Sequence, residues 1–414
     1  MNIDREKALQ LHRNARGKIR IYPTVNIRNE EDLGMAYVQG GAYAAAGIME
    51  DPEAIFEYSG KANRLALISD GSAVLGMGNI GPRAALPVME GKCLLFKNFG
   101  DVNAIPLCIE AQNADDIVAM AKMAAPTFGA INIEDVSSPN SFTVVERLQK
   151  ELDIPVFCDD QHGSAVVVLA ALENALKLVE KELTDTSTVI MGAGAAGISV
   201  ARLLLHAGAG QVTVLNKCGI IGRGNGCMNF VQEELAERLG ETRGGASLDV
   251  AMKGADIFIG LSSRGKISAS HVRSMHKGSI VLALSMPEPE ISAAEAAEAG
   301  ASVFAEGLTG TSNAMPNLHA YPGIARGLLD VRAKGLNANI LMAASRAVAG
   351  AVDRRRLSRR CIIPDLFSDE VTPRVAEAVA QTAIAEGLAS RPLPPKQVYE
   401  ETWQRLFGGI MERV

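Results

Sequence analysis

Two pairs of adjacent carboxylates stand at the ends of apolar stretches in this sequence. Glu134 and Asp135 follow the run in INIEDVSS, and Asp159 and Asp160 follow the run in VFCDDQHGSA. If these runs are neighbouring strands of a parallel sheet, all four carboxylates meet at its carboxyl edge, where α/β proteins bind ligands. Such a cluster needs a cation, and hard oxygen ligands without cysteine or paired histidine favour Mg²⁺ or Mn²⁺ over Zn²⁺.

The acidic pairs also have an interpretation without a metal. Aspartate is a good N-cap, and DDQHGSA opens a helical stretch, so each pair could cap the helix that follows it. Spacing alone does not separate the two interpretations. His162, in the same stretch, is interpreted as a partly buried histidine at the helix start rather than as a ligand.

A glycine-rich turn predicts a dinucleotide site. GAGAAG fits GxGxxG and lies between the β-branched run STVIM and an amphipathic helical stretch. Gly192 allows the tight turn, Gly194 lets the backbone approach a pyrophosphate, and Gly197 lets helix and strand pack closely. The alternative is an ordinary tight βα turn, which this context disfavours. The predicted cofactor contacts here are Gly192, Ala193, Gly194, Ala195, Ala196 and Gly197.

The next strand, VTVLN, ends at Asn216, near the position where an acid usually reads the ribose. Asparagine can hydrogen-bond a hydroxyl but does not repel a 2′-phosphate, and Lys217 and Arg223 lie nearby in sequence. We therefore expect Asn216 and Lys217 to contact the cofactor, with NADP allowed and NAD not excluded.

The elements that position these residues follow an α/β pattern. The apolar runs RLALIS and GKCLLF alternate with helical stretches such as DDIVAMAKMAA, and residues 1–24 are predicted to form a helical arm. A long apolar helix is predicted to start at DQHGSAVVV and to be buried between domains. GADIFIGLSS and GSIVLALSMP supply further buried strands, and the C-terminal part is helical.

Composition narrows the class of protein. The chain has 414 residues, 48% of them hydrophobic, and a net charge of -6, which argues against a nucleic-acid partner. The first 20 residues lack the apolar core of a secretory leader, and no apolar run reaches the roughly 18–20 residues of a membrane span without a glycine, a charge or a turn signal. The six cysteines form no CxxC pair and are interpreted as free thiols, so a cytoplasmic enzyme is expected.

Read together, these stretches resemble the malic enzymes (oxaloacetate-decarboxylating malate dehydrogenases), specifically their short bacterial form. The likeness covers nearly the whole chain and includes LGMAYVQGGA, ISDGSAVLGMGNIGPRAALPVMEGK, PTFGAINIED, IPVFCDDQHGSA, GAGAAGISVARLLL, GADIFIG, YPGIARGLLDVRAK and IIPD. The resemblance implies a metal-dependent oxidation of malate with NAD(P), followed by decarboxylation to pyruvate. It also implies a homodimer or larger assembly, in which the N-terminal arm is a candidate dimer element.

The resemblance also implies roles for particular residues. Glu134, Asp135 and Asp160 would bind the metal. Lys92 would be the general base with Asp159 beside it, and Tyr37 the general acid. The chemistry asks for these types, since a lysine beside a divalent cation can lose its proton near neutral pH and a phenol can protonate an enol. Taken alone, Lys92 is typical of a solvated lysine and Tyr37 of a core aromatic.

We expect an N-terminal α/β domain for substrate and metal over residues 1–158. A doubly wound, Rossmann-type NAD(P) domain would follow over 159–345, with a C-terminal helical extension over 346–414 packing on both. The active-site cleft is expected between the first two domains.

The chain resembles a divergent member of the family, because residues expected around the substrate differ from the family pattern. Val38 and Gln39 replace a threonine and a proline, and Met286 replaces an asparagine expected to touch malate or the nicotinamide. Asn317 survives as a substrate-side or cofactor-side contact, but its neighbour is Pro316. These changes suggest a malate analogue with a different or bulkier substituent, or poor use of malate, with Asn317, Met286 and Val38 facing the substrate.

Three functions compete on the sequence. The first is a metal-dependent oxidative decarboxylase of a 2-hydroxy acid that carries a β-carboxylate. The second is a redox-neutral malolactic reaction with bound NAD. The third is a binding or regulatory protein that kept the fold and lost turnover, against which the retention of Lys92, Tyr37 and all four acids speaks.

Overall fold

The structure, a computed structural model, describes residues 3–74, 76–240, 246–263, 265–307 and 310–408. These residues form two β-sheets flanked by helices. The strands are β1 (Arg64–Ser69), β2 (Asn103–Cys108), β3 (Ala130–Ile133), β4 (Val156–Cys158), β5 (Ser187–Met191), β6 (Gln211–Asn216), β7 (Gly219–Ile220), β8 (Ile257–Gly260), β9 (Ile280–Ala283) and β10 (Val303–Glu306).

The α-helices are α1 (Arg5–Ala15), α2 (Glu30–Leu33), α3 (Gln39–Glu50), α4 (Ile55–Tyr58), α5 (Gly81–Gly100), α6 (Ala114–Ala124), α7 (Asn140–Glu151), α8 (Ser164–Val179), α9 (Ala195–His206), α10 (Phe230–Leu239), α11 (Leu248–Met252), α12 (Ala269–Ser274), α13 (Ala293–Glu298), α14 (Tyr321–Asp330), α15 (Ala338–Gly350), α16 (Val371–Ala385) and α17 (Gln397–Trp403). Short 3₁₀ turns cover Pro52–Ala54, Gly60–Asn63, Ala125–Thr127, Leu183–Asp185 and Asn317–His319. Three π-helical turns cover Gly34–Val38, Asp159–Gly163 and Gln404–Gly408.

The first sheet places the two acidic pairs together. Its strand order is β2-β1-β3-β4 and every pairing is parallel. The ends of β3 and β4 are in register, with Ile133 opposite Cys158, so the residues that follow them emerge at the same edge. The prediction that these strands are parallel neighbours is confirmed.

The second sheet has the order β10-β9-β8-β5-β6-β7, parallel except for the short edge strand β7. β6 lies on one side of β5 and β8 on the other, so the strand order reverses between β5 and β8, and the carboxyl ends of these two parallel strands form the crevice where doubly wound sheets bind dinucleotides. The glycine turn follows β5 there. The expected α/β fold, with a Rossmann-type domain, is confirmed.

Helix α8 and the C-terminal helices join the two sheets into one core. The helical stretch Asp159–Val179 is long and apolar enough to cross a membrane by composition alone, but most of it is buried inside the protein. Helix α15 packs on α8, and α16 packs on α14, which also contacts α5. A Cβ at Gly323 of α14 would lie 2.6 Å from the Cβ of Val375, so glycine permits this close helix pair. The domain boundaries at residues 158 and 345 stay predictions.

Two local predictions are wrong. Within the described part of the predicted arm over residues 1–24, residues 3–24, only α1 is helical, because Arg16 and Gly17 adopt left-handed φ values of 48° and 100° that end the helix. GKCLLF, interpreted as a buried strand, lies inside α5, since Pro82 stands in the first turn of that helix and its apolar residues supply one buried face.

The cysteines also differ from expectation. Cys93, Cys108, Cys158 and Cys361 are free, but Cys218 and Cys227 form a disulfide across the loop that follows β6. The interpretation of all six as free thiols is therefore wrong for this pair. Their separation of nine residues carried no recognised sequence pattern, and only the fold of the loop brings them together.

Asp256, the residue before β8, connects that strand to β5 through a hydrogen bond to Ser187. Its carboxylate accepts hydrogen bonds from the backbone N–H of Ser187 (2.9 Å) and from Lys181 Nζ (2.6 Å). Burial acts to raise the pKa of Asp256, but these hydrogen bonds outweigh it and lower the pKa to about 2. Because the folded pKa is below the ordinary one, the carboxylate stabilises the fold above about pH 4.

We expect Asp256→Asn to lower the free energy of unfolding by about 2 kcal/mol at neutral pH. The difference from wild type should shrink as pH falls from about 4 to about 2, since the wild-type carboxylate is then protonated too. Thermal and urea unfolding across this range measure it, with the exposed Asp153→Asn as control. A difference that stays constant down to pH 2 contradicts the assignment.

Candidate active site

Three carboxylates converge at the carboxyl edge of the first sheet. One oxygen each of Glu134, Asp135 and Asp160 lies within 4.8 Å of the others. Glu134 and Asp135 follow β3, and Asp160 lies in the π-helical turn that follows β4. Asp135 adopts a φ of 52° and donates its backbone N–H to Asp160 Oδ2 (3.0 Å). The site therefore holds the three predicted metal ligands in one group.

These carboxyl groups resist ionising together. Burial raises the pKa of Glu134, Asp135 and Asp160 to about 7 each; repulsion between the carboxylates adds to this, and Lys92 opposes it. A divalent cation among the three would remove the repulsion and satisfy the buried oxygens. The set is all oxygen and anionic, so it fits Mg²⁺ or Mn²⁺ better than a softer metal.

Lys92 reaches this cluster from helix α5. Its Nζ lies 2.9 Å from Glu134 Oε1 and donates a short hydrogen bond to Asp159 Oδ2. Burial acts to lower the pKa of Lys92, but Asp159 and Glu134 outweigh it and raise the pKa well above its ordinary range. The predicted pairing of Lys92 with Asp159 is present, and Lys92 is a buried ion-pair partner rather than a solvated lysine.

Glycine allows the turn that presents Asp159. The π-helical turn Asp159–Gly163 folds back so closely that a Cβ at Gly163 would clash with Asp159 Oδ1. Asn317 supports the same carboxylate, donating from Nδ2 to Asp159 Oδ2 (3.3 Å) and to Ser164 Oγ (3.1 Å). Asn317 is thus brought to the site, where its side chain orients Asp159.

Tyr321 is a site residue that the sequence reasoning missed. Its ring centroid lies 4.0 Å from Lys92 Nζ and 4.7 Å from the ring of Phe96. Its buried hydroxyl has no hydrogen-bond partner among the described residues. The motif YPGIARGLLD was noted only for its resemblance, and nothing in it indicated that a ring would lie beneath the ammonium.

Tyr37 and Val38 are not brought into this cluster. Tyr37 lies in the π-helical turn Gly34–Val38 and is 76% exposed, and its hydroxyl makes no hydrogen bond to the residues that the structure describes. Val38 is 59% exposed. The chain therefore brings Lys92 and the carboxylates together by itself, while Tyr37, the predicted acid, lies on the surface.

The glycine turn has the shape that the sequence predicted. Gly192 has a φ of 117°, and Gly194 caps helix α9, which begins at Ala195. A Cβ at Gly197 would clash with the carbonyl oxygen of Gly192, which is why a third glycine is needed. The first N–H groups of α9, from Ala195 and Ala196 onward, can face an anion. Ala193 is buried in the turn.

Asn216, whose contact with the cofactor stays a prediction, makes its hydrogen bonds within the loop after β6. Its Oδ1 accepts from the N–H of Cys218 (2.8 Å) and from Asn225 Nδ2 (3.0 Å), and its Nδ2 donates to Gln232 Oε1 (3.1 Å). These bonds occupy the amide with the loop after β6. Lys217, the next residue, is exposed.

Glu290, which the sequence reasoning also missed, positions the loops beside Met286. Its fully buried carboxylate accepts from the N–H of Ser262 (3.1 Å), after β8, and from the N–H and hydroxyl of Ser285, after β9. Met286 follows directly and is 53% exposed. A Cβ at Gly76 would lie 3.3 Å from the carbonyl oxygen of Met286, so the loop after β1 meets this loop across the cleft.

Comparison with known proteins gives one consistent result. The family description "Malic enzyme, NAD binding domain" matches residues 161–384, and "Malic enzyme, N-terminal domain" matches residues 23–149. A bifunctional malic/malolactic enzyme of Bacillus subtilis is 44% identical over 96% of this chain and 97% of its own length. An NAD-dependent malic enzyme of Geobacillus stearothermophilus is 41% identical over 91% of this chain and 78% of its own length.

The same agreement holds for solved structures. The malic enzyme from Pyrococcus horikoshii superposes with a TM-score of 0.92 at 39% identity, covering 99% of this chain and 98% of its own. The malic enzyme of Entamoeba histolytica gives a TM-score of 0.92 at 33% identity, over 99% of this chain and 87% of its own.

Proposed function

The chain belongs to the malic enzyme family, and from this premise we propose that it oxidatively decarboxylates L-malate or a malate-like 2-hydroxy acid with a β-carboxylate. The products would be pyruvate or its analogue, CO₂ and NAD(P)H. The observation that carries the proposal is the contact of Lys92 with Asp159 and Glu134 beside three converging carboxylates. A screen of hydroxy-diacids with NAD or NADP, with and without Mn²⁺, tests the substrate class.

Glu134, Asp135 and Asp160 would hold the divalent cation. When bound, the cation supplies Lewis acidity at the C2 oxygen of the substrate and a positive charge that opposes the ammonium form of Lys92. Asp159 would stay outside this ligand set, because its carboxylate is bound by Lys92 and Asn317.

Lys92 would act as the general base at the C2 hydroxyl. Its position is fixed by Asp159 on one side and by the ring of Tyr321 beneath it, so the amine needs no reorientation when it takes the proton. The free N–H groups at the N-terminus of α9 would hold the pyrophosphate of NAD(P), and the bound coenzyme would supply the hydride acceptor that oxidation at C2 requires. After CO₂ leaves, C3 requires a proton; Tyr37 is the predicted donor, although it lies exposed and apart from the carboxylate cluster of its own chain.

The loop after β6 favours acceptance of NADP. No acid ends β6; Lys217 directly follows this strand, Arg223 lies in the loop after β7, and both side chains are exposed. Two cations and no carboxylate can bind a 2′-phosphate, whereas Asn216 is occupied within the loop.

We expect Lys217→Glu combined with Arg223→Glu to raise the KM for NADP at least tenfold, while the KM for NAD changes less than about threefold. The reason is that only the 2′-phosphate meets the reversed charges. Steady-state kinetics with both coenzymes measure the effect, and Lys150→Glu on the first domain is the control. Equal changes in KM for NAD and NADP contradict the proposal that Lys217 and Arg223 bind the 2′-phosphate.

Met286 sets the substrate preference in our proposal. A half-exposed methionine beside the cleft offers a flexible apolar contact where the family pattern has a hydrogen-bonding amide. Together with Val38, Gln39 and Pro316 it supports a substrate with an apolar group that malate lacks.

We expect Met286→Asn to raise kcat/KM for L-malate about tenfold, the worth of one hydrogen bond to a polar substrate. The same change should lower kcat/KM for 3-alkylmalates. Met286→Leu, which keeps the apolar contact, is the matched control. If wild type already prefers L-malate and Met286→Asn leaves it unchanged, the substrate is ordinary malate.

A malolactic outcome is the second candidate. The relative from Bacillus subtilis is named for both activities, and this chain matches nearly all of it. Net formation of reduced coenzyme separates the two, because the malolactic reaction regenerates bound NAD and releases lactate. We further propose a cytoplasmic location and a homo-oligomeric state.

A further inference from the structure

The stretch between β6 and helix α10 closes on itself through the disulfide of Cys218 and Cys227. The Cα atoms of these two residues lie 6.4 Å apart, within the range that a disulfide spans. The disulfide-closed segment, residues 218–227, contains Arg223, and Lys217 stands directly before it. Of the two cations that the proposed function assigns to the 2′-phosphate of NADP, one therefore lies inside the ring and the other adjoins it.

Side-chain amides hold the two cysteines near each other independently of the disulfide. The N–H of Cys218 donates to Asn216 Oδ1 (2.8 Å). The N–H of Cys227 donates to Asn225 Oδ1 (3.1 Å), and the buried Asn225 donates in turn from Nδ2 to Asn216 Oδ1 (3.0 Å). None of these hydrogen bonds involves sulfur, so the cysteines stay close after reduction and the disulfide can form again.

The base of the segment is also attached to the glycine turn. Asn216 Nδ2 donates to Gln232 Oε1 (3.1 Å), and the buried Gln232 of α10 donates from Nε2 to the carbonyl oxygen of Ala193 (2.8 Å). These bonds hold whether or not the sulfur atoms are joined. We therefore expect the pyrophosphate site to keep its shape on reduction, with the change confined to the residues between the cysteines.

Arg223 is the charged side chain whose freedom the disulfide controls. It is exposed and stands between Gly222 and Gly224, which adopt φ values of 149° and 93°. Glycine on both sides gives the backbone many alternative conformations, and closing the ring removes a part of them. With the ring open, Arg223 has to lose this extra freedom again when it binds an anion.

The disulfide is accessible to a reactant from solution. Cys218 is exposed and Cys227 is half-buried, so a thiolate can attack the sulfur of Cys218 while the chain stays folded. Basic neighbours favour the thiolate form of a reduced cysteine, and Lys217 directly precedes Cys218. Both the access and the charge suit reversible exchange better than a permanent crosslink.

We propose that Cys218 and Cys227 form a thiol–disulfide exchange site and that their oxidation strengthens the binding of NADP relative to NAD. The inference rests on the proposed function in one respect, the binding of the 2′-phosphate by Lys217 and Arg223. In a reducing compartment the pair would be two thiols, and oxidation would close the ring around Arg223.

The reductant of this site is a dithiol. Its thiolate forms a bond to Cys218 Sγ, the bond between Cys218 and Cys227 breaks, and Cys227 leaves as a thiolate. The second thiol of the reductant then attacks the mixed disulfide and releases Cys218. Two electrons and the two thiol protons pass to the cysteine pair, and the reductant leaves as an intramolecular disulfide. Oxidation of the pair by a disulfide is the same sequence in reverse.

Calorimetric titration with each coenzyme tests the proposal without substrate or metal. Wild type is equilibrated with reduced or with oxidised dithiothreitol, and the excess is removed. We expect the Kd for NADP to be about fivefold higher in the reduced form, while the Kd for NAD changes less than about twofold. Equal affinities of the two forms for NADP overturn the proposal, as does an equal change for both coenzymes. Absence of malate turnover beside the expected affinities contradicts only the proposed function.

Cysteine variants assign the response to this pair. Cys218→Ser combined with Cys227→Ser should bind NADP like reduced wild type and should not respond to dithiothreitol. The matched control is Cys361→Ser, which removes a free thiol outside the segment and should respond like wild type. A response that persists in the double variant assigns it to another cysteine and overturns the proposal.

The same coupling is measurable from the side of the sulfur atoms. Because linkage is reciprocal, saturating NADP should shift the equilibrium of the pair with dithiothreitol about fivefold toward the disulfide, and NAD less than about twofold. Alkylation of thiols followed by mass spectrometry, over a series of ratios of reduced to oxidised dithiothreitol, measures the shift in wild type. An unchanged equilibrium with NADP, or a pair that stays fully reduced or fully oxidised at every ratio, overturns the exchange site.

Discussion

Lys92→Arg is expected to lower kcat at least ~100-fold, and up to ~10⁴-fold, because a guanidinium cannot give up its proton at neutral pH. Arginine preserves the positive charge between Asp159 and Glu134, so the buried carboxylates keep a partner. The substitution thus separates the role of a base from the role of a counter-ion. Steady-state kinetics with the preferred substrate, at saturating coenzyme and Mn²⁺, measure the loss.

Folding and metal binding should be nearly unchanged in this variant. The matched control is Lys97→Arg, on the exposed side of the same helix, which we expect to be as active as wild type. If Lys92→Arg retains more than a tenth of the wild-type kcat, Lys92 is only a counter-ion and another group takes the proton.

Asp160→Asn is expected to weaken Mn²⁺ binding at least ~100-fold, more than the loss of a residue that merely supports a ligand. Removing one of three repelling carboxylates should also leave the metal-free protein as stable as wild type or more stable. With Mn²⁺ at 100 times its Kd, only wild type should gain about 2.7 kcal/mol of stability. Asp160→Asn should therefore be at least as stable as wild type without the metal and less stable than wild type with Mn²⁺.

Calorimetric titration and thermal unfolding in EDTA and in Mn²⁺ measure both effects without any substrate. Asp153→Asn, at an exposed position, should behave like wild type in both conditions. Equal stabilisation of wild type and Asp160→Asn by Mn²⁺ contradicts the assignment of Asp160 as a ligand.

The sequence was most informative where strand ends determine position. Acids that follow two apolar runs could be predicted to meet, because parallel neighbouring strands bring their carboxyl ends to one edge. The structure has that arrangement in Glu134, Asp135 and Asp160. The glycine turn was predictable for a similar reason, since at Gly192 and Gly197 a side chain would clash with the backbone of the chain itself.

Contacts that depend on the tertiary arrangement could not be predicted. Tyr321 comes from a helix more than 200 residues after Lys92, and no pattern places its ring beneath the ammonium. Asn216 stands at the expected strand end, but its amide is occupied by loop residues that the sequence did not pair with it. Tyr37 illustrates a further limit, because its residue type did not indicate that it would lie exposed and apart from the carboxylate cluster.

The helix and strand errors have simpler causes. GKCLLF is a short apolar run, and such a run suits a buried helix face as well as a buried strand. The sequence predicts a helical arm past Arg16 because the composition there stays polar and compatible with a helix. The left-handed φ values of Arg16 and Gly17, which end α1, are visible only in the backbone.

The most direct test of the proposed function is the stoichiometry of products from L-malate or the best malate analogue. With Mn²⁺ and NAD or NADP, we predict pyruvate or its analogue, CO₂ and reduced coenzyme in equal amounts, with turnover lost in EDTA and restored by Mn²⁺. Lactate without net reduced coenzyme, or turnover that is indifferent to EDTA, would contradict a metal-dependent oxidative decarboxylase.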